Sequence, residues 1–424
     1  MLKKIPVQQL RMGMHLHTLE CSWIQHPFWK SRFVIDSASD LQRLQTCGVT
    51  ECLIDTALGL DVAAPQLAAA VAPLAAVAPV MAAPAVSAAP AVSPVVPATC
   101  LQPTRPMAAE LKQAAAICSR GRQAVTAMFN EARMGRTVDA ELCLPLVEEI
   151  AGSVWRNPGA LVSLARLKTR DDYSYMHSVA VCAMMVALAR QTGMDEDGCR
   201  RAGLAGLMHD IGKALMPLEL LNKPGSLTEA EFRIIRTHAE QGHELLEAGQ
   251  GVDAAALDVV LHHHERMDGT GYPHRLPGDQ ISTLARMGAI CDVYDAMTSN
   301  RPYKAGWDPA QSMARMASWQ GHFDPLLFAA FVQSLGIYPV GSLVRLASDR
   351  LAVVVEQNPA KLVSPVVTAF FSLKSQLPIM PVRLDLAGAG THDRIVAREE
   401  GGRERFPRLE ELWADPEVLR ALRT

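Results

Sequence analysis

Between Asp61 and Cys100 the chain carries forty residues with sixteen alanines, seven prolines and a single charge. Prolines at 65, 73, 79, 84, 90, 94 and 97 remove backbone donors and clash with the preceding turn, so no regular helix can run through the stretch. That density also argues against a membrane helix, although this is the most apolar run of the sequence. No amphipathic period is present from which to build a core, and the composition reads as a semi-extended, disordered linker. Such a segment makes the 424 residues fold in separate parts, in keeping with the two or three domains expected at this length.

The part before it, 1–60, holds short alternating pieces such as Arg32-Phe33-Val34-Ile35 and Glu51-Cys52-Leu53-Ile54-Asp55, punctuated by Gly13, Gly48 and Gly59. This pattern predicts a small β-rich or α/β domain. With the linker taken as 61–106, the region 107–335 follows, where apolar residues recur at three- and four-residue spacing, as in Glu110 to Met134 and Ala140 to Trp155. An all-helical domain is predicted there. Over 336–424, β-branched runs at Ser342 to Leu346, Leu351 to Glu356 and Pro365 to Phe371 alternate with turn dipeptides, predicting a small β-rich appendage. The expected fold class is mainly α.

Forty-one basic residues balance 44 acidic ones, which leaves no cationic footprint for DNA. Nine cysteines, an odd number with no CxxC pair, suit a reduced, cytoplasmic protein rather than a disulfide framework. The N-terminus MLKKIPVQQLRMGMHL has charge but no apolar h-region, so neither a signal peptide nor a membrane span is expected.

Eight of thirteen histidines fall within the 98 residues from 177 to 274. Among them His177, the pair His209-Asp210, His238, the pair His263-His264 and then Asp292 are separated by roughly 25 to 32 residues, about one helix plus one connection. Each group can come from a different helix and converge on one core site. Imidazole and carboxylate donors suit two divalent ions, with Fe, Mn or Zn favoured over Mg or Ca, and an aspartate between two sets of histidines can bridge them. A lone histidine on a helix is more often a surface or hydrogen-bonded core residue. Burying His209 and Asp210 within the apolar Leu204–Gly212 segment without partners, however, would cost several kcal/mol, and a metal satisfies both.

His209-Asp210-Ile211-Gly212-Lys213, HHERMDGTGYP at 263–273, AICDVYDAMTSNRPYK at 289–304 and FDP at 323–325 together resemble the HD-GYP family of the HD phosphohydrolase superfamily. The likeness runs over 177–331. Residues 1–60, with PFW at 27–29 and GVTECLID at 48–55, also resemble the uncharacterised domain often found ahead of HD-GYP. The resemblance implies an HD-type metallohydrolase domain and a phosphodiesterase that converts cyclic di-GMP to pGpG, and on to GMP, through a hydroxide bridging two metals, Fe or Mn. It implies His177, His209, Asp210 and Asp292 as ligands of one ion, and Asp210, His238, His263 and His264 as ligands of the other. Some members hold a third metal through a glutamate four residues before the first histidine; Tyr173 stands there, with Asp172 one residue out of register. Asp210 and Lys213 are the implied catalytic pair, Lys213 contacting a phosphate oxygen. Tyr272, Asp295, Arg301 and Lys304 are implied substrate contacts. Diguanylate cyclase (GGDEF) proteins are implied partners, and the helices of 107–155 either pack on the catalytic domain or form a homodimer. His262, His243 and His274 are read as non-ligands. Two alternatives stay open: a binding module with little turnover, and an HD-type hydrolase of another nucleotide, such as a different cyclic dinucleotide.

Overall fold

From Met176 to Ala189 every residue except His177 and Ser178 is apolar, and a helix apolar on all sides is stable only when enclosed. The computed structural model describes residues 2–19, 33–35, 37, 41, 45, 51–61, 104–167, 173–223, 225–299, 306–399 and 402–422. In it this stretch is buried throughout and lies within α4 (Tyr173–Gln191). Around it pack α1 (Met107–Arg133), α2 (Leu144–Arg156), α3 (Pro158–Ala165), α5 (Glu196–Met208), α10 (Thr283–Thr298) and α12 (Pro325–Leu335). Between α5 and α10 run α6 (Leu218–Leu221), α7 (Glu229–Arg236), α8 (His238–Glu247) and α9 (Ala254–His262), and α11 (Pro309–Ala317) precedes α12. No helix of the described residues is long and apolar enough to cross a membrane.

The chain divides into two compact units, Met1–Pro94 and Val95–Thr424. In the first, β1 (Leu2–Pro6), β2 (His15–Leu19), β3 (Phe33–Val34) and β4 (Glu51–Asp55) form an antiparallel sheet in the order β1-β4-β2-β3. Ile5, Met14, Leu16, Ile35, Cys52 and Ile54 make its core. The sequence pattern marks β3 and β4 but passes over β1 and β2, where charged and histidine residues occupy the outward positions of LKKIP and HLHTL. Beyond Asp61, the alanine- and proline-rich stretch lies outside the described residues.

The second unit ends in another antiparallel sheet, in which β5 (Leu343–Leu346), β6 (Arg350–Glu356), β7 (Val366–Ser372), β8 (Leu377–Asp385) and β9 (Ile395–Arg398) take the order β8-β7-β6-β5-β9. The first three match the β-branched runs. The outer strands are largely exposed, and β8 carries Pro378 and Pro381, residues that suit an unpaired edge but hide a strand from pattern reading. The sheet is tied to the helices by Asp308, whose Oδ2 accepts from the Leu343 N–H at 2.9 Å, and by buried Arg166, which donates to the Val340 carbonyl at 2.9 Å.

The FDP motif serves this architecture. Asp324 caps α12, its Oδ1 accepting from the N–H groups of Leu326 and Leu327 at 2.9 and 3.1 Å, while its Oδ2 pairs with Arg286 of α10 at 2.8 Å. Replacing Asp324 by Ala removes the cap and the ion pair together, and chemical denaturation should show a loss of about 1–2 kcal/mol.

Candidate metal centre

His177 projects from α4, His209 directly follows α5, and Asp210 opens the short 3-10 turn Ile211–Leu215. His238 is the first residue of α8, His263 and His264 directly follow α9, and Asp292 and Asp295 lie one turn apart on α10. A bare-backbone contact brings His238 to Asp210: a Cβ added at Gly212 would stand 1.9 Å from the His238 carbonyl oxygen and 2.7 Å from the Gly242 nitrogen. Only glycine allows the 3-10 turn and α8 to approach this closely.

Two groups of donors result, the atoms of each within 4.8 Å of one another: His177, His209 and Asp292, and Asp210, His238, His263 and His264. Asp210 faces both. Its Oδ2 lies 3.2 Å from His177 Nε2 and 3.3 Å from His209 Nε2; its Oδ1 lies 3.3 Å from His238 Nε2 and 3.7 Å from His263 Nε2. Backbone carbonyls fix three of the imidazoles. His209 Nδ1–H donates to Gly206 O at 2.8 Å, His238 Nδ1–H to Ile235 O at 2.7 Å, and His263 Nδ1–H to Val260 O at 3.0 Å. Each of these rings, when neutral, therefore presents a bare Nε2 lone pair to the centre. His238 Nε2 and His263 Nε2 stand 3.5 Å apart, and the buried Asp210 Oδ1 has no hydrogen-bond partner among the described residues. Lone pairs facing lone pairs in a water-poor interior repel, and a cation between them resolves the conflict. The donor set thus fits divalent metal.

The electrostatics agree. Burial holds His209, His238 and His264 below the ordinary imidazole value, keeping them in the form that ligates. Burial alone would raise Asp210, but the Lys213 ammonium and neighbouring histidines hold its carboxyl well below the usual range. Asp292 is likewise held low, against burial, by its contacts with His177 and His264. His177 goes the other way. Burial opposes its charge, yet hydrogen bonds to Asp210, Asp292 and Asp295 carry it up to about 10: this position draws positive charge.

Lys213 Nζ contacts Asp210 Oδ2, with its side chain 26% exposed. Tyr272 is buried, its ring stacked on His264 with centroids 4.6 Å apart. Asp295, read from sequence as a substrate contact, is buried behind His177, where its Oδ2 accepts from Nδ1 at 2.6 Å and its Oδ1 accepts from Ser299 Oγ at 3.2 Å. Arg301, Lys304 and Asp172 lie outside the described residues, as does the side chain of Tyr173. His262 is turned away from the centre, bonded to Asp258 at 2.7 Å and to His274 at 3.0 Å. Sequence reading passed over Glu265, whose buried carboxylate accepts from the N–H groups of His274 and Leu276 at 2.7 and 3.1 Å and so fastens the segment after Tyr272. A charged residue directly after two candidate ligands was the available signal.

Residues 2–143 match a domain of unknown function, DUF3391, and residues 158–327 match the HD domain. A cyclic di-GMP phosphodiesterase of Pseudomonas aeruginosa is 51% identical to the chain over 415 residues, 97% of this chain and 96% of the relative. The chain belongs to the HD-GYP family. A 3'3'-cGAMP-specific phosphodiesterase of Vibrio cholerae is 34% identical over 169 residues, 39% of this chain and 32% of the relative. A solved structure, of an HDG"Y"P protein from Bdellovibrio bacteriovorus, aligns with a TM-score of 0.43 and 14% identity over 78% of this chain and 98% of that one. In this HD-GYP chain the HD match encloses every candidate ligand from His177 to Asp292.

The position of Asp295 behind His177 leads to a measurable expectation. A carboxylate that orients a ligating imidazole typically contributes 10–100-fold to metal affinity. Asp295→Ala should therefore lower the metal retained after competition with a graded chelator by a factor in that range, read by elemental analysis.

Proposed function

We propose that this chain is a metal-dependent phosphodiesterase that hydrolyses cyclic di-GMP to linear pGpG, and onward to GMP. One observation carries the reading: the Asp210 carboxylate, with its unpartnered Oδ1, lies between two sets of imidazole nitrogens. The choice of substrate rests on the Pseudomonas aeruginosa relative, named a cyclic di-GMP phosphodiesterase and 51% identical over nearly the whole chain. His177, His209, Asp210 and Asp292 would hold one ion, and Asp210, His238, His263 and His264 the other, with Fe or Mn expected of nitrogen and oxygen donors. Bound there, the ions would supply Lewis-acid charge to the phosphoryl oxygens and acidify the attacking water.

The remaining work belongs to the chain. Asp295 holds His177 Nδ1 protonated and aims Nε2 inward, as backbone carbonyls do for His209, His238 and His263. The Lys213 ammonium, at Asp210 and partly exposed, would bind a non-bridging phosphate oxygen as charge gathers there. Tyr272 offers a flat ring beside His264, against which part of the nucleotide can lie. In the overall reaction water adds at phosphorus, the P–O bond to the 3′ oxygen breaks, and that oxygen leaves as a hydroxyl. The 34% identity to a 3'3'-cGAMP-specific relative makes the mixed cyclic dinucleotide the second substrate to assay.

Protein loaded anaerobically with Fe(II) or Mn(II) should convert cyclic di-GMP to pGpG on chromatographic analysis, and Asp210→Ala should abolish turnover. Metal-loaded protein that binds the dinucleotide and leaves it intact would replace the enzyme reading with a binding module. Lys213→Ala should lower kcat by roughly 10²-fold while metal content stays constant.

A further inference from the structure

Phe232 and Arg236 stand four residues apart on α7 and so share a face. The Arg236 guanidinium carbon lies 4.7 Å from the Phe232 ring centre and 5.0 Å from that of Tyr272, distances of cation–π contact. Tyr272 in turn stacks on His264. A continuous series of contacts thus leads from the metal centre through a tyrosine to a partly buried guanidinium.

Burial disfavours the charge of Arg236; Tyr272 and Glu229 of α7 favour it, and Arg275 disfavours it. The backbone of Arg275 has φ of 58°, a left-handed conformation uncommon outside glycine. The two N–H groups that flank it, of His274 and Leu276, are both held by the buried Glu265 carboxylate. The segment that follows Tyr272 is thereby held in place.

We infer that Arg236 is a specificity-determining residue that binds the phosphate of a cyclic dinucleotide that is not being cleaved. This rests on the phosphodiester reading above, under which the substrate carries two phosphates and the metal centre engages one. The planar guanidinium, braced by two rings, has its in-plane N–H fork suited to bidentate phosphate binding. A lysine at this position would keep the charge but lose the fork.

The test compares cyclic di-GMP with bis(4-nitrophenyl) phosphate, a diester with one phosphate, on metal-loaded wild type, Arg236→Ala and Arg236→Lys. The ratio of kcat/KM between the two substrates should fall roughly 10- to 100-fold in Arg236→Ala, through KM for the dinucleotide, with partial recovery in Arg236→Lys. A ratio that does not move, or equal losses on both substrates with metal content reduced, would overturn the inference in favour of a bracing role for Tyr272. Wild type inactive on both substrates would defeat the phosphodiesterase reading instead. Arg236 is then judged by equilibrium binding of cyclic di-GMP to the metal-loaded protein: tenfold weaker binding by Arg236→Ala supports the inference, and unchanged or absent binding overturns it.

Discussion

The structure turns on the buried carboxylate of Asp210. Two oxygens face two groups of nitrogens, and four of the five rings, those of His177, His209, His238 and His263, have Nδ1 already committed outward, to carbonyls or to Asp295. An interior of this kind is not stable for its own sake. Buried polar atoms left without partners are costly, and here Asp210 Oδ1 is one of them. The helical scaffold holds the donors in mutual opposition, and a cation is what their arrangement accommodates.

That opposition requires rigidity, and the sequence of α4 supplies it. His177 is embedded in a helix with no exposed face between Met176 and Ala189, so the ring cannot withdraw toward solvent. On the opposite side the close backbone approach at Gly212 and Gly242 fixes His238. The C-terminal sheet reaches the same framework indirectly. Asp308, its carboxyl pushed up by burial, joins β5 to the start of α11, and Arg166, directly after α3, holds the Val340 carbonyl ahead of β5 while its charge acts on Tyr294, which lies between Asp292 and Asp295 on α10. The appendage is thereby tied to α11 and to the end of α3.

How far this could be read in advance depended on the kind of signal. Histidines and aspartates at helix-length intervals are conspicuous because their types are few and their burial needs explanation, so the residues that converge around Asp210 were visible in the order of the motifs. The helical core and the inner strands β6 and β7 were visible because apolar periodicity reports burial directly. Residues that act by orienting others carried no such mark. Asp295 is one helical turn from Asp292, and nothing in that spacing distinguishes a side chain facing substrate from one behind a ligand; only the direction of the helix decides it. Glu265 looks like an exposed charge until the backbone N–H groups it holds are seen. Phe232 and Arg236 lie on a short helix with an amphipathic pattern that any surface helix would show.

The sign of the charge at the centre imposes an order of events. Asp210, Asp292 and Asp295 are buried together, and among the described residues Lys213 is the lysine that meets them. Without further cations this region is anionic and would repel a phosphodiester at short range, where a low dielectric makes the repulsion strong. Two divalent ions, held as proposed, would reverse the sign. Substrate affinity and metal affinity are therefore linked, and a chain with 41 basic and 44 acidic residues has no general positive field to substitute for that link. Discrimination then falls to charges beyond the ions, which is why the guanidinium held between Phe232 and Tyr272 matters more in this chain than it would on a strongly basic surface.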